Sequence, residues 1–184
     1  MNELEQKLGA ARWQIFTKVK VYGSLVQYLK DKFGPVETAC TDGETITWGE
    51  LFLQSLTPPE VRFVLLHETF HCIYRHLWRF PYFGKGPEGE TDIERAERAS
   101  KANRANIATD HVINLYLSKL AQDHGLDISM PKGGLADPKY AGMTEEQIFN
   151  SLPVNTPKPN DSCGGFGPPA KGKEKPGDKP GKPT

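Results

Sequence analysis

The sequence is short of cysteine, carries no surplus of charge of either sign and contains no long hydrophobic run, and each shortage removes a class of function. Its three cysteines, Cys40, Cys72 and Cys163, are too few and too widely spaced for a disulfide framework or a Cys-x-x-Cys metal site. Lys plus Arg and Asp plus Glu both number 23, so the formal net charge is +0 and no basic surface announces a nucleic-acid partner. No apolar stretch approaches the roughly 18–20 residues of a membrane span. The N-terminus, from Met1 to Lys7, is mixed in charge and lacks the apolar centre of a secretory signal. The expectation is a cytoplasmic protein with neither a membrane nor a nucleic acid among its partners. At 184 residues there is room for one domain with a real core, but not for two of ordinary size.

What is present is the run His67-Glu68-Thr69-Phe70-His71. Two histidines four apart on a helix share a face, so both imidazoles can reach one ion at about 2.0–2.1 Å. Glu68 is turned about 100° away, where it can touch a metal-bound water without ligating the metal. This is the pattern of a zinc-peptidase site, with Glu68 as its general base. Five residues alone recur by chance, but their surroundings strengthen the reading. Val61 to Leu66 before the motif and Cys72-Ile73-Tyr74 after it are apolar apart from Arg62. Three ionisable groups in such a run must be desolvated, at a cost of several kcal/mol unless they are paired or bound to a metal. The plainer alternative is a buried helix whose histidines are satisfied by hydrogen bonds. Cys72 adjoins His71 but points about 100° away from it and reads as a small buried apolar residue.

A catalytic zinc usually takes three protein ligands and keeps a fourth position for water. His76 is nearest in sequence, yet on a continued helix it lies about 180° round the wheel from His67 and reads as a helix-end residue facing solvent or the last carbonyls. The better candidate is Asp110, in the middle of a helical stripe formed by Ile107, Ile113, Leu117 and Leu120. A carboxylate there needs a partner, and either a metal or an arginine would supply one. Asn114, one turn on, can hydrogen-bond a ligand imidazole or be an ordinary surface residue. His111 is a rival third ligand, a transition-state donor or a half-buried helix histidine. Tyr116 is a weak candidate for an oxyanion donor, and a core aromatic with its hydroxyl at the surface is the simpler reading.

Along the chain, residues 2 to about 30 follow helical spacing through Leu4, Leu8, Ala11, Ile15, Val19 and Tyr22, then Leu25, Val26 and Leu29, with Gly23 as the expected division into two helices. Trp13 and Phe16 widen the apolar face and read as core. Val36 to Cys40 and Glu44 to Trp48 are β-prone runs around Asp42-Gly43, which predicts a hairpin. A short helix is expected over Gly49 to Leu56. Thr57-Pro58-Pro59-Glu60 opens the motif helix. After a Pro/Gly-rich loop from Phe80 to Pro87, Thr91-Asp92-Ile93-Glu94 is a capping box for a helix running to about Asp123, with Gly125 beyond it. Met143 to Gln147 starts one more helix. The fold class is therefore α+β, mostly helical, with a small hairpin or sheet, the motif helix and a second long helix supplying the third ligand. Residues 1–152 form the expected domain. From Pro153 the composition changes, with eight of the 15 prolines interleaved with Gly and Lys, and residues 153–184 read as a disordered tail or linker able to engage a protein partner.

The sequence resembles the predicted metallopeptidase domain of bacterial and phage proteins that often precedes a von Willebrand factor A-like domain. The likeness is carried by Thr41-Asp42-Gly43, by His67 to His71 with His76 following, by Ala108-Thr109-Asp110-His111-Val112-Ile113-Asn114, and by Gly142 to Phe149, in that order. It implies a zincin-like fold with His67, His71 and Asp110 as ligands of one Zn2+ and Glu68 as catalytic acid/base. Where the family's linker leads to the second domain, this sequence has the Pro/Gly/Lys stretch, which leaves a stand-alone version and a fragment as the two readings. The expected activity is hydrolysis of a peptide bond in a peptide or protein substrate by a metal-activated water. The rivals are a binding or scaffold protein with a structural zinc, and a zinc hydrolase of a non-peptide amide.

Overall fold

The computed structural model describes residues 2–83 and 86–154. Of the expected tail over residues 153–184, residues 155–184, with Cys163, lie outside the described residues, as do residues 84 and 85 of the Pro/Gly-rich loop.

Helix α1 (Glu3–Lys18) begins at a capping box between Asn2 and Glu5 and buries Leu8, Ala11, Arg12 and Ile15 along one face. The chain breaks at Val19 (φ −133°, ψ 75°) and resumes as α2 (Lys20–Val26). The division thus falls four residues before the glycine expected to make it. Gly23 is buried inside α2 because the two helices touch there, and a Cβ on it would come within 2.3 Å of the Phe16 Cα. Trp13 and Phe16 are not core. They are 64% and 38% exposed, since the buried stripe is narrow and both lie off it.

The helical spacing runs to about Lys30, but α2 ends at Val26 and the chain turns to strand at Lys30. β1 (Lys30–Phe33) pairs in parallel with β3 (Thr45–Trp48), which pairs antiparallel with β2 (Ala39–Thr41), giving the order β1-β3-β2. The β2–β3 hairpin is the expected one. Asp42 accepts the amides of Glu44 and Thr45, and Gly43 takes φ 97°. β1 was missed because its sequence, Lys-Asp-Lys-Phe, is charged. What fixes it is Asp31, which accepts from Trp48 Nε1 at 2.9 Å and from Arg12 Nη2 at 2.8 Å, tying α1, β1 and β3 together. α3 (Glu50–Ser55) then leads to α4 (Pro58–Ile73), whose first turn carries two prolines and whose Glu60 accepts from the amide and hydroxyl of Thr57.

Every residue of α4 from Val61 to His71 is buried. Arg62, the one cation in the apolar run, reaches the Asp127 carbonyl at 2.7 Å and pairs with Gln14 and the Asp127 carboxylate. After Tyr74 the backbone turns left-handed at Arg75 (φ 59°), so α5 (His76–Arg79) does not continue the axis of α4. α6 (Asp92–His124) opens on the Thr91–Glu94 capping box and ends at Gly125. Its first half is largely exposed and its second half enters the core from Ala105 onward. A 3-10 turn (Pro138–Tyr140) and α7 (Glu145–Ser151) close the described fold, with Ile148 and Tyr140 packed beside Ala108. The main core lies among α1, α2, the sheet, α4 and the second half of α6. No helix among the described residues is long and apolar enough to cross a membrane.

Candidate metal centre

α4 and α6 pack side by side, and that contact brings His67, His71 and Asp110 together. One ligand atom from each lies within 4.8 Å of the others, and all three residues are buried. The two Nε2 atoms are 2.9 Å apart, and Asp110 Oδ1 is 3.5 Å from that of His67 and 3.4 Å from that of His71. The other carboxylate oxygen of Asp110 accepts from Asn106 Nδ2 at 3.2 Å, which leaves Oδ1 facing the histidines without a hydrogen bond.

The side chains behind this cluster fix its orientation. His67 Nδ1 is 2.8 Å from Asn114 Oδ1, and the amide oxygen can only accept, so the ring proton sits on Nδ1 and the Nε2 lone pair faces the cluster. Asn114 is oriented in turn by donating to the Leu135 carbonyl at 3.0 Å. Behind His71 stands His76. It does not face solvent as the helical wheel requires; it is fully buried, with Nδ1 3.0 Å from His71 Nδ1 and Nε2 3.1 Å from Glu145 Oε1. The wheel fails because α4 ends at Ile73 and the left-handed Arg75 redirects the chain just before His76. Glu145 and its partner Arg79 lie behind the cluster with no role given to either by the sequence, where Glu145 stands only as part of a helix start and of the Gly142 to Phe149 block. The signal was that a third histidine closely follows the motif.

Glu68 also lies beside the cluster, fully buried, and neither of its carboxylate oxygens has a hydrogen-bond partner. Burial pushes its pKa up to about 7, opposed by His67, assisted by Asp110 and opposed by the Thr41 backbone, which lies near it without forming a well-aligned hydrogen bond. Burial likewise raises Asp110 to about 6 against the pull of His67. For His67, burial disfavours the cation but Asp110 outweighs it and moves the pKa upward, whereas His71 is held well below its ordinary value by burial and by the two neighbouring imidazoles. A buried carboxylate and two imidazole nitrogens converging in this way suit a divalent cation, so the residues present fit a metal ion.

His111 and Tyr116 are not part of this group. His111 Nδ1 accepts the Asp137 amide at 3.2 Å, and its ring packs 4.6 Å from that of Tyr140. The Tyr116 hydroxyl is 2.6 Å from that of Tyr22, beside Phe70 and Tyr74. Cys72 is half-buried near Thr41. Two surface hollows, about 510 Å³ beside Phe33, Val36 and Leu51 and about 310 Å³ beside Tyr82, Glu94 and Lys101, include no residue of the triad.

Residues 3–183 match the family described as "Putative metallopeptidase domain". The chain belongs to that family. No curated protein and no solved structure matches it. The resemblance drawn from Thr41 to Gly43, His67 to His71, Ala108 to Asn114 and Gly142 to Phe149 is thereby shown, and a metallopeptidase is the coarse reading that family and site share.

Proposed function

We propose that this protein is a zinc-dependent peptidase of the His-Glu-x-x-His type, with His67, His71 and Asp110 as the metal ligands and Glu68 as general base and acid. The observation that carries the reading is Glu68: a carboxylate buried with no well-formed hydrogen bond to either oxygen, the Thr41 backbone being its one nearby donor, costs several kcal/mol, and it adjoins the one group of buried metal-ligating side chains found among the described residues. Zinc held there would lower the pKa of a water towards about 7 and polarise a scissile carbonyl. Glu68 takes a proton from the attacking water and delivers it to the leaving amine nitrogen, a task suited to a carboxyl whose surroundings raise its pKa toward neutrality. Asn114 and Asn106 keep His67 and Asp110 turned toward the cluster. β2 is an edge strand packed against α4, and its backbone supports pairing with an extended peptide.

The burial of Glu68 favours a second reading, a scaffold protein with a structural metal, because a substrate reaches Glu68 only after the fold opens. The two are separated by metal content and turnover on a peptide library for wild type, Asp110→Ala and Glu68→Gln. About one zinc per chain in wild type, loss of metal in Asp110→Ala, and retained metal with no turnover in Glu68→Gln are the results expected of the enzyme. Full zinc occupancy with no peptide cleaved would turn the assignment to the scaffold or to a hydrolase of a non-peptide amide. Absence of metal in metal-replete wild type would sink the enzyme reading.

A further inference from the structure

His71, His76 and Glu145 form a line of three buried side chains that joins the metal cluster to α7, the last helix among the described residues. We infer that Glu145 and His76 act as a hydrogen-bond relay that decides which nitrogen of His71 is offered to the metal, making both of them positioning residues. The inference rests on the metal-site reading above.

The argument follows the proton from Glu145 inward. Glu145 Oε1 is 3.1 Å from His76 Nε2, and a carboxylate accepts, so that nitrogen carries its hydrogen. A neutral His76 then has an acceptor at Nδ1. His71 Nδ1 is 3.0 Å from it and must donate. The ring of His71 is left with its lone pair on Nε2, 2.9 Å from His67 Nε2 and 3.4 Å from Asp110 Oδ1; the two Nε2 lone pairs repel until a cation enters between them, so the link to His76 is what holds the His71 proton on Nδ1 in the meantime. Reversing any one link reverses the next. With no acceptor at residue 145, His76 can carry its hydrogen on Nδ1 and donate inward, which drives the His71 proton onto Nε2 and blocks the atom that faces the cluster.

The relay is held by elements far apart in sequence. Arg75 adopts a left-handed conformation that sends His76 back beneath α4, and Arg79 donates to Glu145 Oε2 at 3.1 Å, so the carboxylate presents its other oxygen to the imidazole. His76 is 0% exposed and Glu145 7%, so water does not compete for these bonds. Glu146 pairs with the same Arg79 but does not touch His76, which makes it a control.

The test uses the full chain, first metal-free and then titrated with zinc against a competing chelator. In metal-free wild type, long-range proton–nitrogen correlation of the imidazoles should show His71 protonated on Nδ1. Glu145→Ala should lose that preference and bind zinc about 10–100-fold more weakly. Glu145→Gln keeps an acceptor oxygen and should recover most of the affinity, while Glu146→Ala should match wild type. Rescue by Gln separates a relay from a merely structural role, since folding damage in the alanine variant alone would leave the tautomer of the Gln variant informative. A His71 proton on Nε2 in the metal-free wild type, or zinc affinity unmoved in Glu145→Ala, would overturn the relay. If wild type shows the Nδ1 proton yet takes up no zinc, the relay stands as a hydrogen-bond order and the metal reading fails.

Discussion

Asn114 holds His67 through its amide oxygen and the Leu135 carbonyl through its nitrogen, so truncating it frees the His67 ring and a surface segment together. Asn114→Ala is expected to weaken zinc binding by about 10–100-fold with helical content intact, read by chelator competition beside circular dichroism. Unchanged affinity would mean that the ring is held without it. The same scale shows what could be read from residue types alone. His67, Glu68, His71 and Asp110 were legible because ionisable groups inside apolar helical stripes need a reason to be there. Glu145 was not, because a carboxylate in the first turn of a helix already has one in the helix dipole. His76 was hidden by its neighbour: nothing in the side chain of Arg75 announces φ 59°.

At the scale of elements, capping chemistry made the long helices readable. Thr57 with Glu60 and Thr91 with Glu94 begin α4 and α6 where the sequence places them. The exposed strand β1 was unreadable because its partner β3, and Arg12 across the core, supply its stability. The α1–α2 contact offers a paired test. Gly23→Ala should cost about 1–3 kcal/mol, since the added methyl meets Phe16 backbone at 2.3 Å, whereas Gly9→Ala in open space on α1 should stabilise by roughly 0.5–1 kcal/mol. Equal effects in chemical denaturation would mean the two helices can part at no cost. The seat of α7 is pH-sensitive. Burial works against ionisation of Glu145, but donors from His76, its own backbone and Arg79 outweigh it and hold the pKa at about 2. A depressed carboxyl stabilises above its unfolded value of about 4.3, and that contribution is lost as pH falls through 2. Acid unfolding of Glu145→Gln should therefore be flatter than wild type between those limits, by at most about 3 kcal/mol in total and about 2 once solvent screening of this half-buried carboxylate is discounted.

For the whole molecule, the cluster joins residues on α4 to one on α6, so an ion bound there stabilises only the folded chain. At a hundredfold excess over Kd the gain is about 2.7 kcal/mol, which should raise Tm by roughly 5–10 °C for a domain of this size. Differential scanning calorimetry with zinc and after chelation checks it, and an unmoved Tm would argue that the three side chains do not act together. The burial of the triad has a further consequence for timing. His67, His71 and Asp110 are at most 1% exposed, and they come from helices that must already be docked before the three can converge. Loading of an ion would therefore come after folding or along with its last step. An ion seated there would exchange at the pace at which α4 and α6 part, so its residence time would be a clock for the breathing of the fold more than for the strength of its bonds.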